Sequence, residues 1–136
     1  MKLFLLAISF IFFGSSPTEE SKNQLSLRLK SEAQPRGQYY IKLTHFEEKE
    51  KKELLKVVEA NSTTQQVTFE TLPKGMYTLA VFHDVNGNGK LDKNYLGIPT
   101  EPYGFSNNAR GMFGPPSEKD QLFTIERETI HELFLE

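Results

Sequence analysis

Alternating apolar and polar residues mark most of the chain after residue 23. The segments QLSLRLK, QYYIKLTHF and QQVTFETL each place apolar residues at every second position. Successive side chains of a strand point to opposite faces, so this period of two predicts half-buried β-strands. QLFTIE and TIHELFLE predict two more strands near the end, joined by a tight connection at 126–128. The residues expected to face the core are Leu25, Leu27, Leu29, Tyr39, Ile41, Leu43, Val67 and Phe69.

The segment TLPKGMYTLAVFHD predicts a central strand. Pro73 and Gly75 predict a turn, and the residues after it are apolar on both alternating faces. Tyr77, Leu79 and Val81 share one face, with Ala80 and Phe82 on the other. A strand covered on both faces lies inside a sheet, and Phe82→Ala would then cost about 3–5 kcal/mol.

One charged segment, EEKEKKELLKVVEANS, permits two interpretations. Its charge content suits an amphipathic helix, but its apolar residues cluster at Leu54, Leu55, Val57 and Val58. We favour a charged loop followed by a short strand. About seven short strands without a clear helix predict an all-β fold, an antiparallel β-sandwich of one domain over residues 24–136, with one long ordered loop.

The first residues predict export. MKLFLLAISFIFFGSS carries Lys2 and then an apolar run too short to span a bilayer, as in a signal peptide. We assign residues 1–16 to the signal peptide and 17–23 to a linker, and expect no membrane span in the mature chain. The sequence holds no cysteine, which excludes disulfides and cysteine-ligated zinc. An exported protein of the periplasm or the extracellular medium is expected.

Charge and motifs exclude other functions. Lysine and arginine number 16 against 18 acidic residues, which leaves no basic footprint for nucleic acid. No Gly-x-Ser-x-Gly elbow or phosphate-binding loop is present. A hydrolase using His83, Asp84 and Glu101 is a remote alternative, because neighbours in a strand point to opposite faces. We expect His83 to make a hydrogen bond at the end of its strand.

The segment DVNGNGKLD after the central strand has the spacing of a calcium-binding loop. Aspartate and asparagine occupy ligand positions one, three and five, glycine occupies six and aspartate nine. Position twelve is Tyr95 rather than a bidentate acid, so a weak site is expected unless Glu101 folds back to it. The candidate calcium ligands are Asp84, Asn86, Asn88, Lys90 (through its carbonyl), Asp92 and Glu101.

The same loop also predicts a metal-free structure. Aspartate and asparagine side chains accept hydrogen bonds from nearby backbone amides, and Gly87 and Gly89 adopt left-handed conformations, so the loop closes by itself. The two hypotheses differ for Asp84→Asn. If calcium binds, this change abolishes the calcium response and alters calcium-free stability only modestly.

The long loop NYLGIPTEPYGFSNNARGMFGPPS also has two interpretations. Tyr95, Tyr103, Phe105 and Phe113 would form a small satellite core, with Arg110 capping carbonyl groups or pairing with Glu101 or Asp120. Alternatively, the loop is a recognition surface for a glycan or an envelope protein, since loops on rigid scaffolds often carry binding. The candidate binding residues are Tyr103, Asn107, Asn108 and Arg110.

Two stretches resemble known domains. FETLPKGMYTLAV resembles the turn and strand of transthyretin-like or prealbumin-like domains, which have immunoglobulin-like sandwiches. Residues 71–123 resemble the bacterial secreted family called domain of unknown function 2141, through DVNGNGKLDKNYLGIPTEPYGFSNNARGMFGPPS. Glu118 stands where that family tends to carry an aromatic residue. The resemblance implies an exported sandwich domain without an established activity.

These observations favour a non-enzymatic exported sandwich domain whose long loop either binds a partner or glycan or stabilises the fold, while weak calcium binding and a metal-free loop after the central strand both stay open. A purely structural accessory domain of the cell envelope is the alternative.

Overall fold

The computed structural model describes residues 23–136 of the chain. The predicted signal peptide and all but the last residue of the predicted linker lie outside the described residues. Within 23–136, no helix is both long and apolar enough to cross a membrane. The strands are β1 (Asn23–Ser31), β2 (Gln38–Phe46), β3 (Lys51–Glu59), β4 (Thr64–Leu72), β5 (Gly75–Asp84), β6 (Tyr103–Phe105), β7 (Phe123–Ile125) and β8 (Glu128–Leu135). One helical turn, α1 (Glu118–Gln121), precedes β7.

The strands form two sheets packed around one core, which confirms the predicted sandwich. The smaller sheet has the order β4-β1-β8, and the larger has the order β3-β2-β5-β6, with β7 also paired to β5. The pairs are antiparallel except β1 with β8, which is parallel. All the core residues expected from the alternating pattern are buried, among them Leu27 of the smaller sheet and Ile41 of the larger.

Strand β5 is central in its hydrogen bonding but is covered on one face only. It pairs with β2 along one edge and with β6 and β7 along the other. Tyr77, Leu79 and Val81 are buried in the core, as predicted. Ala80 and Phe82 are only half-buried on the outer face of the sheet, so the expectation of cover on both faces is wrong.

Strand β3 replaces the predicted charged loop and short strand. It runs for nine residues from Lys51 to Glu59, so the charged residues at its start belong to the strand. Its residues are mostly exposed because β3 is the edge of the larger sheet. An edge strand with both faces wet does not show a clean period of two.

The end of the chain ties the two sheets together. Tyr103 of β6 and Glu136, which follows β8, exchange backbone hydrogen bonds of 3.1 and 3.2 Å. A Cβ atom on Gly104 would lie 2.7 Å from the carbonyl oxygen of Phe134, so only glycine allows this close approach. The same contact fixes the position of the segment between β5 and β6.

Candidate functional site

The candidate site begins at two buried side chains at the end of β5, His83 and Asp84. The Nε2 atom of His83 lies 2.7 Å from the carbonyl oxygen of Arg36, and Nδ1 lies 3.0 Å from Oγ of Ser31. A carbonyl can only accept, so Nε2–H donates to Arg36 and Nδ1 accepts from the serine hydroxyl. Both ring nitrogens therefore have protein partners, as expected for a hydrogen-bonded strand end.

The Asp84 carboxylate closes the loop that follows it. This side chain is 0% exposed, and its Oδ1 atom accepts hydrogen bonds from the backbone N–H groups of Gly87 (2.8 Å) and Asn88 (3.1 Å). Its Oδ2 atom accepts from the N–H of Gly89 at 2.7 Å. Both glycines have positive φ, 74° and 80°, which turns the N–H groups inward. This is the arrangement that the metal-free interpretation of the loop predicts.

Two exposed asparagines, Asn86 and Asn88, and the partly buried Asp92 form a second layer of hydrogen bonds in this loop. The Nδ2 atom of Asn88 donates to both carboxylate oxygens of Asp92 at 2.9 Å, and Nδ2 of Asn86 donates to one of them. Hydrogen bonds from Asn88 and then Asn86 lower the pKa of Asp92. The amide oxygens are also engaged, because Oδ1 of Asn86 accepts from the N–H of Asn88 and Oδ1 of Asn88 accepts from the N–H of Lys90.

Glu101 returns to the loop from the segment that follows it. It is 8% exposed, and its two oxygens accept from the backbone N–H groups of Val85 (2.9 Å) and Asp92 (3.1 Å). The carboxylate therefore clamps the first and last parts of the loop together. Glu101 does fold back to the loop, as the calcium hypothesis allowed for a third carboxylate, and its oxygens accept from backbone amides.

The donor set as arranged does not fit a calcium ion. Calcium is held by oxygen atoms, whereas Asn86 and Asn88 direct nitrogen atoms at Asp92. In the part of the chain that the structure describes, no cluster of three or more acidic, histidine or cysteine side chains could hold a metal ion. Calcium binding requires both amides to turn, and it stays a prediction for titration to decide.

The next segment projects a hairpin tip into solvent. Lys93 and Pro99 form an antiparallel bridge, and Oδ1 of Asn94 accepts from the N–H groups of Leu96 and Ile98. Tyr95 at this tip is 96% exposed.

The expected satellite core is therefore wrong for two of its four aromatic residues. Tyr95 lies on the exposed tip, and Phe113 in the loop before α1 is 100% exposed. Tyr103 and Phe105 do contact each other, edge to face, with ring centroids 6.0 Å apart. The loop is ordered by side-chain hydrogen bonds to its backbone and not by an aromatic cluster.

Asn107 and Asn108 hold the loop against β8. Nδ2 of Asn107 donates to the carbonyl groups of Asp120 and Leu122, and its backbone N–H donates to Nε2 of His131. Asn108 donates to the carbonyl of Glu132 and accepts from the N–H of Phe134. Both residues have positive φ.

Arg110 and Tyr103 differ from these asparagines in their contacts, and the ion-pair partner of Arg110 is neither of the two acids expected. Arg110 pairs with Glu136, with 3.1 Å between Nη2 and Oε2, and Tyr103 lines a groove elsewhere. The four candidate binding residues thus include two that serve the fold through backbone hydrogen bonds.

The groove lies on the outer face of the larger sheet and has a volume of about 470 Å³. It crosses β3, β2, β5 and β6 of the larger sheet, and Leu91 from the loop after β5 forms part of its wall. Tyr40 and Phe82 stack in its floor, with ring centroids 4.9 Å apart and planes 6° apart. Its lining residues are Tyr40, Ile41, Lys42, Leu55, Lys56, Val57, Ala80, Val81, Phe82, Leu91, Tyr103 and Phe105.

Comparison with known proteins identifies the family. The model of DUF2141, described as an uncharacterized protein conserved in bacteria, matches residues 27–132. The chain belongs to the DUF2141 family. No curated protein and no solved structure matches it.

In this DUF2141 chain, the groove is the feature that sequence reasoning missed. Two signals pointed to it: the apolar second face of β5, at Ala80 and Phe82, and the apolar residues Leu55 and Val57 in a strongly charged segment. Neither signal locates a groove alone, because the register of β2, β3 and β5 is what brings these residues together.

Proposed function

We propose that this DUF2141 domain is an exported, non-enzymatic binding module whose outer groove takes the hydrocarbon chain of an anionic amphiphile, such as a fatty acid. The groove carries the proposal. Ligand sites are typically apolar clefts of about 300–1,000 Å³ with a few polar groups that fix orientation. This groove is of that size, and almost all of its lining is apolar.

The charge of the groove supports an anionic head group. Two lysines, Lys42 and Lys56, and no acidic residue contribute to its lining, but the side chain of Lys56 lies on the core side of β3, because Lys56 is opposite the buried Ile41. There Nζ of Lys56 donates to the carbonyl of Thr68 at 2.6 Å, so Lys42 is the lining residue whose charge would meet a head group. Lys42 pairs with Glu53 at 3.4 Å, and both side chains are about half-exposed, so a ligand carboxylate can replace this weak pair.

The hydrogen bonding around β5 supports binding without catalysis. A hydrolase needs a base with a free nitrogen or oxygen near the substrate. His83 uses both ring nitrogens in the fold, and the Asp84 and Glu101 carboxylates accept backbone N–H groups. None of the three residues lines the groove.

The test is titration of the mature domain with dodecanoate and with dodecanol, followed by calorimetry. Saturable binding of dodecanoate is expected. Lys42→Gln should lower the affinity for dodecanoate and leave the affinity for the uncharged dodecanol unchanged. Lys42 is the cross-strand neighbour of Ala80, so Ala80→Glu places a carboxylate in the groove beside Lys42. This change should lower the affinity for dodecanoate at least about tenfold.

Ile130→Glu is the matched control, because Ile130 is an exposed apolar residue on β8 of the other sheet. It should leave binding unchanged. No saturable binding of either probe, or equal loss in Ala80→Glu and Ile130→Glu, would refute the groove as the site.

A structural accessory domain of the cell envelope is the second candidate function. The exposed apolar tip, with Tyr95, Leu96 and Ile98, favours it, because clustered exposed apolar side chains mark contact surfaces. Pull-down from envelope extracts with the parent protein and with a Tyr95→Ser, Leu96→Ser variant separates the two. Loss of a captured protein in the variant supports the accessory role, while retention of dodecanoate binding leaves the groove proposal intact.

A further inference from the structure

We infer that two copies of this chain associate through their β3 strands, which pair antiparallel about a two-fold axis at Leu55. The inference goes beyond the proposed ligand binding and does not depend on it. It rests on three observations: an open backbone edge, an exposed apolar residue at its centre, and a charge pattern that complements itself.

The backbone N–H and C=O groups of a strand alternate in direction from residue to residue, and this alternation shows which of those groups in β3 face away from β2. In an antiparallel strand, the N–H and C=O of one residue point to the same side, and the next residue points to the other. His83 donates its N–H to Pro102 on the β6 side of β5, so the even-numbered residues of β5 face β2. Asp84 pairs with Gln38, so the even-numbered residues of β2 face β5 and the odd-numbered ones face β3.

The register of β2 with β3 completes this reasoning. Gln38 faces β5 and lies opposite Glu59, so Glu59 and the other odd-numbered residues of β3 point away from β2. The even-numbered residues of β3 bond to β2. The N–H of Ala60, the next even-numbered position, does face β2, because it donates to the carbonyl of Gly37 at 3.0 Å, and the carbonyl of Glu59 accepts from a side chain, Nε2 of Gln65. Among residues 23–136, no strand pairs with this outer edge.

The edge is apolar at its centre. Leu55 is 75% exposed, and its neighbour Val57 on the same face is 48% exposed. Both belong to the groove lining. A second β3 strand would cover Leu55 and satisfy the outward N–H and C=O groups, as in strand addition to an open sheet edge.

The outward groups restrict the register. Only outward-facing residues can bond to each other, so odd-numbered residues of one copy must pair with odd-numbered residues of the other. A two-fold axis at Leu54 would then place Lys52 opposite Lys56. An axis at Lys56 would place Glu53 opposite Glu59. Like charges directly opposite each other are destabilising.

An axis at Leu55 avoids both conflicts. It places Leu55 opposite Leu55 of the second copy, and Lys51 opposite Glu59 of the second copy, twice by symmetry. Lysines on an edge strand usually prevent pairing, but here the lysine at each end meets an acid. Within one copy, Nζ of Lys51 lies 2.5 Å from Oε2 of Glu118. This pair is exposed and contributes little stability, so Lys51 can turn to Glu59 of the second copy at little cost.

The test is sedimentation equilibrium of the domain up to ~0.5 mM, since interfaces below ~1,200 Å² are weak. We expect a monomer–dimer equilibrium in the parent. Lys51→Glu and Glu59→Lys alone should each weaken dimerisation at least about tenfold. An equimolar mixture of the two variants should restore it, because each lysine of one variant then faces a glutamate of the other.

Two further variants separate the edge from other causes. Glu118→Gln removes the present partner of Lys51 and should leave dimerisation at least as strong as in the parent. Leu55→Pro removes an N–H that faces outward, so it should abolish dimerisation without breaking the pairing with β2. A monomeric parent at ~0.5 mM, a mixture that fails to restore the dimer, or a dimeric Leu55→Pro would overturn the inference.

Discussion

Replacing Asp84 with asparagine should lower the free energy of unfolding by about 2–4 kcal/mol. The carboxylate is fully buried and accepts three backbone N–H groups. An asparagine oxygen at the Oδ1 position keeps two of these bonds as weaker neutral ones. Its NH2 group then faces the N–H of Gly89, where the carboxylate accepts at 2.7 Å, and two donors cannot bond. Loss of one bond to a charged acceptor costs about 1.5–3 kcal/mol, and weakening of the others adds to it.

The measurement is urea unfolding of the parent and the variant without calcium and with millimolar calcium. Asp92→Asn is the control, because that carboxylate is only partly buried and bonds only to two asparagine amides, so its loss should cost much less. A calcium-free loss below about 1 kcal/mol in Asp84→Asn would contradict the role of this carboxylate. An increase in the parent's stability with calcium would support the metal hypothesis, since a ligand held only by the folded state stabilises it by RT ln(1 + [L]/Kd).

Phe82→Ala should cost about 1–2 kcal/mol in denaturant melts, less than full burial would imply, because the ring is half-buried and stacks on Tyr40; a loss above about 3 kcal/mol would show that this face is covered in solution. Burial lowers the pKa of His131, and its Nε2 accepts from the N–H of Asn107, so the folded state favours the neutral ring. Its contribution is therefore present above about pH 6.5, the usual histidine value, and is lost as the pH falls through the lowered pKa. His131→Phe should flatten stability against pH in that range, and an unchanged slope would contradict this assignment.

Strands with one face buried in the core were predictable from the sequence, including β4 and β8 at the edges of the smaller sheet, whereas β3 and β6 of the larger sheet were not. In β1 and β2, the contrast between core and solvent imposes the period of two that places Leu27 and Ile41 inside. In β3, both faces meet solvent, so Leu54 and Leu55 stand side by side and the pattern resembles a charged loop. Strand β6 has only three residues, and the contact that places it is with Glu136, far along the chain.

The loop after β5 shows why a motif does not settle chemistry. Asp84 uses the same oxygens whether it accepts backbone N–H groups or binds a cation, so the spacing predicts a closed loop in both cases. The two cases differ in side-chain direction, that is, in which atoms of Asn86 and Asn88 face Asp92. The sequence does not specify that direction, although it named the return of Glu101 as one of two alternatives.

The loop and the groove are parts of one structure. Leu91 in the groove wall lies between two fixed backbone groups: the N–H of Lys90 bonds to Asn88, and the N–H of Asp92 bonds to Glu101. The buried Asp84 carboxylate fixes the beginning of the same loop. Because these hydrogen bonds already hold the loop, the binding proposed above would cost little loop entropy. The motif that resembles a metal site therefore has a structural role whether or not it binds calcium, since its hydrogen bonds hold Leu91 in the wall of the groove.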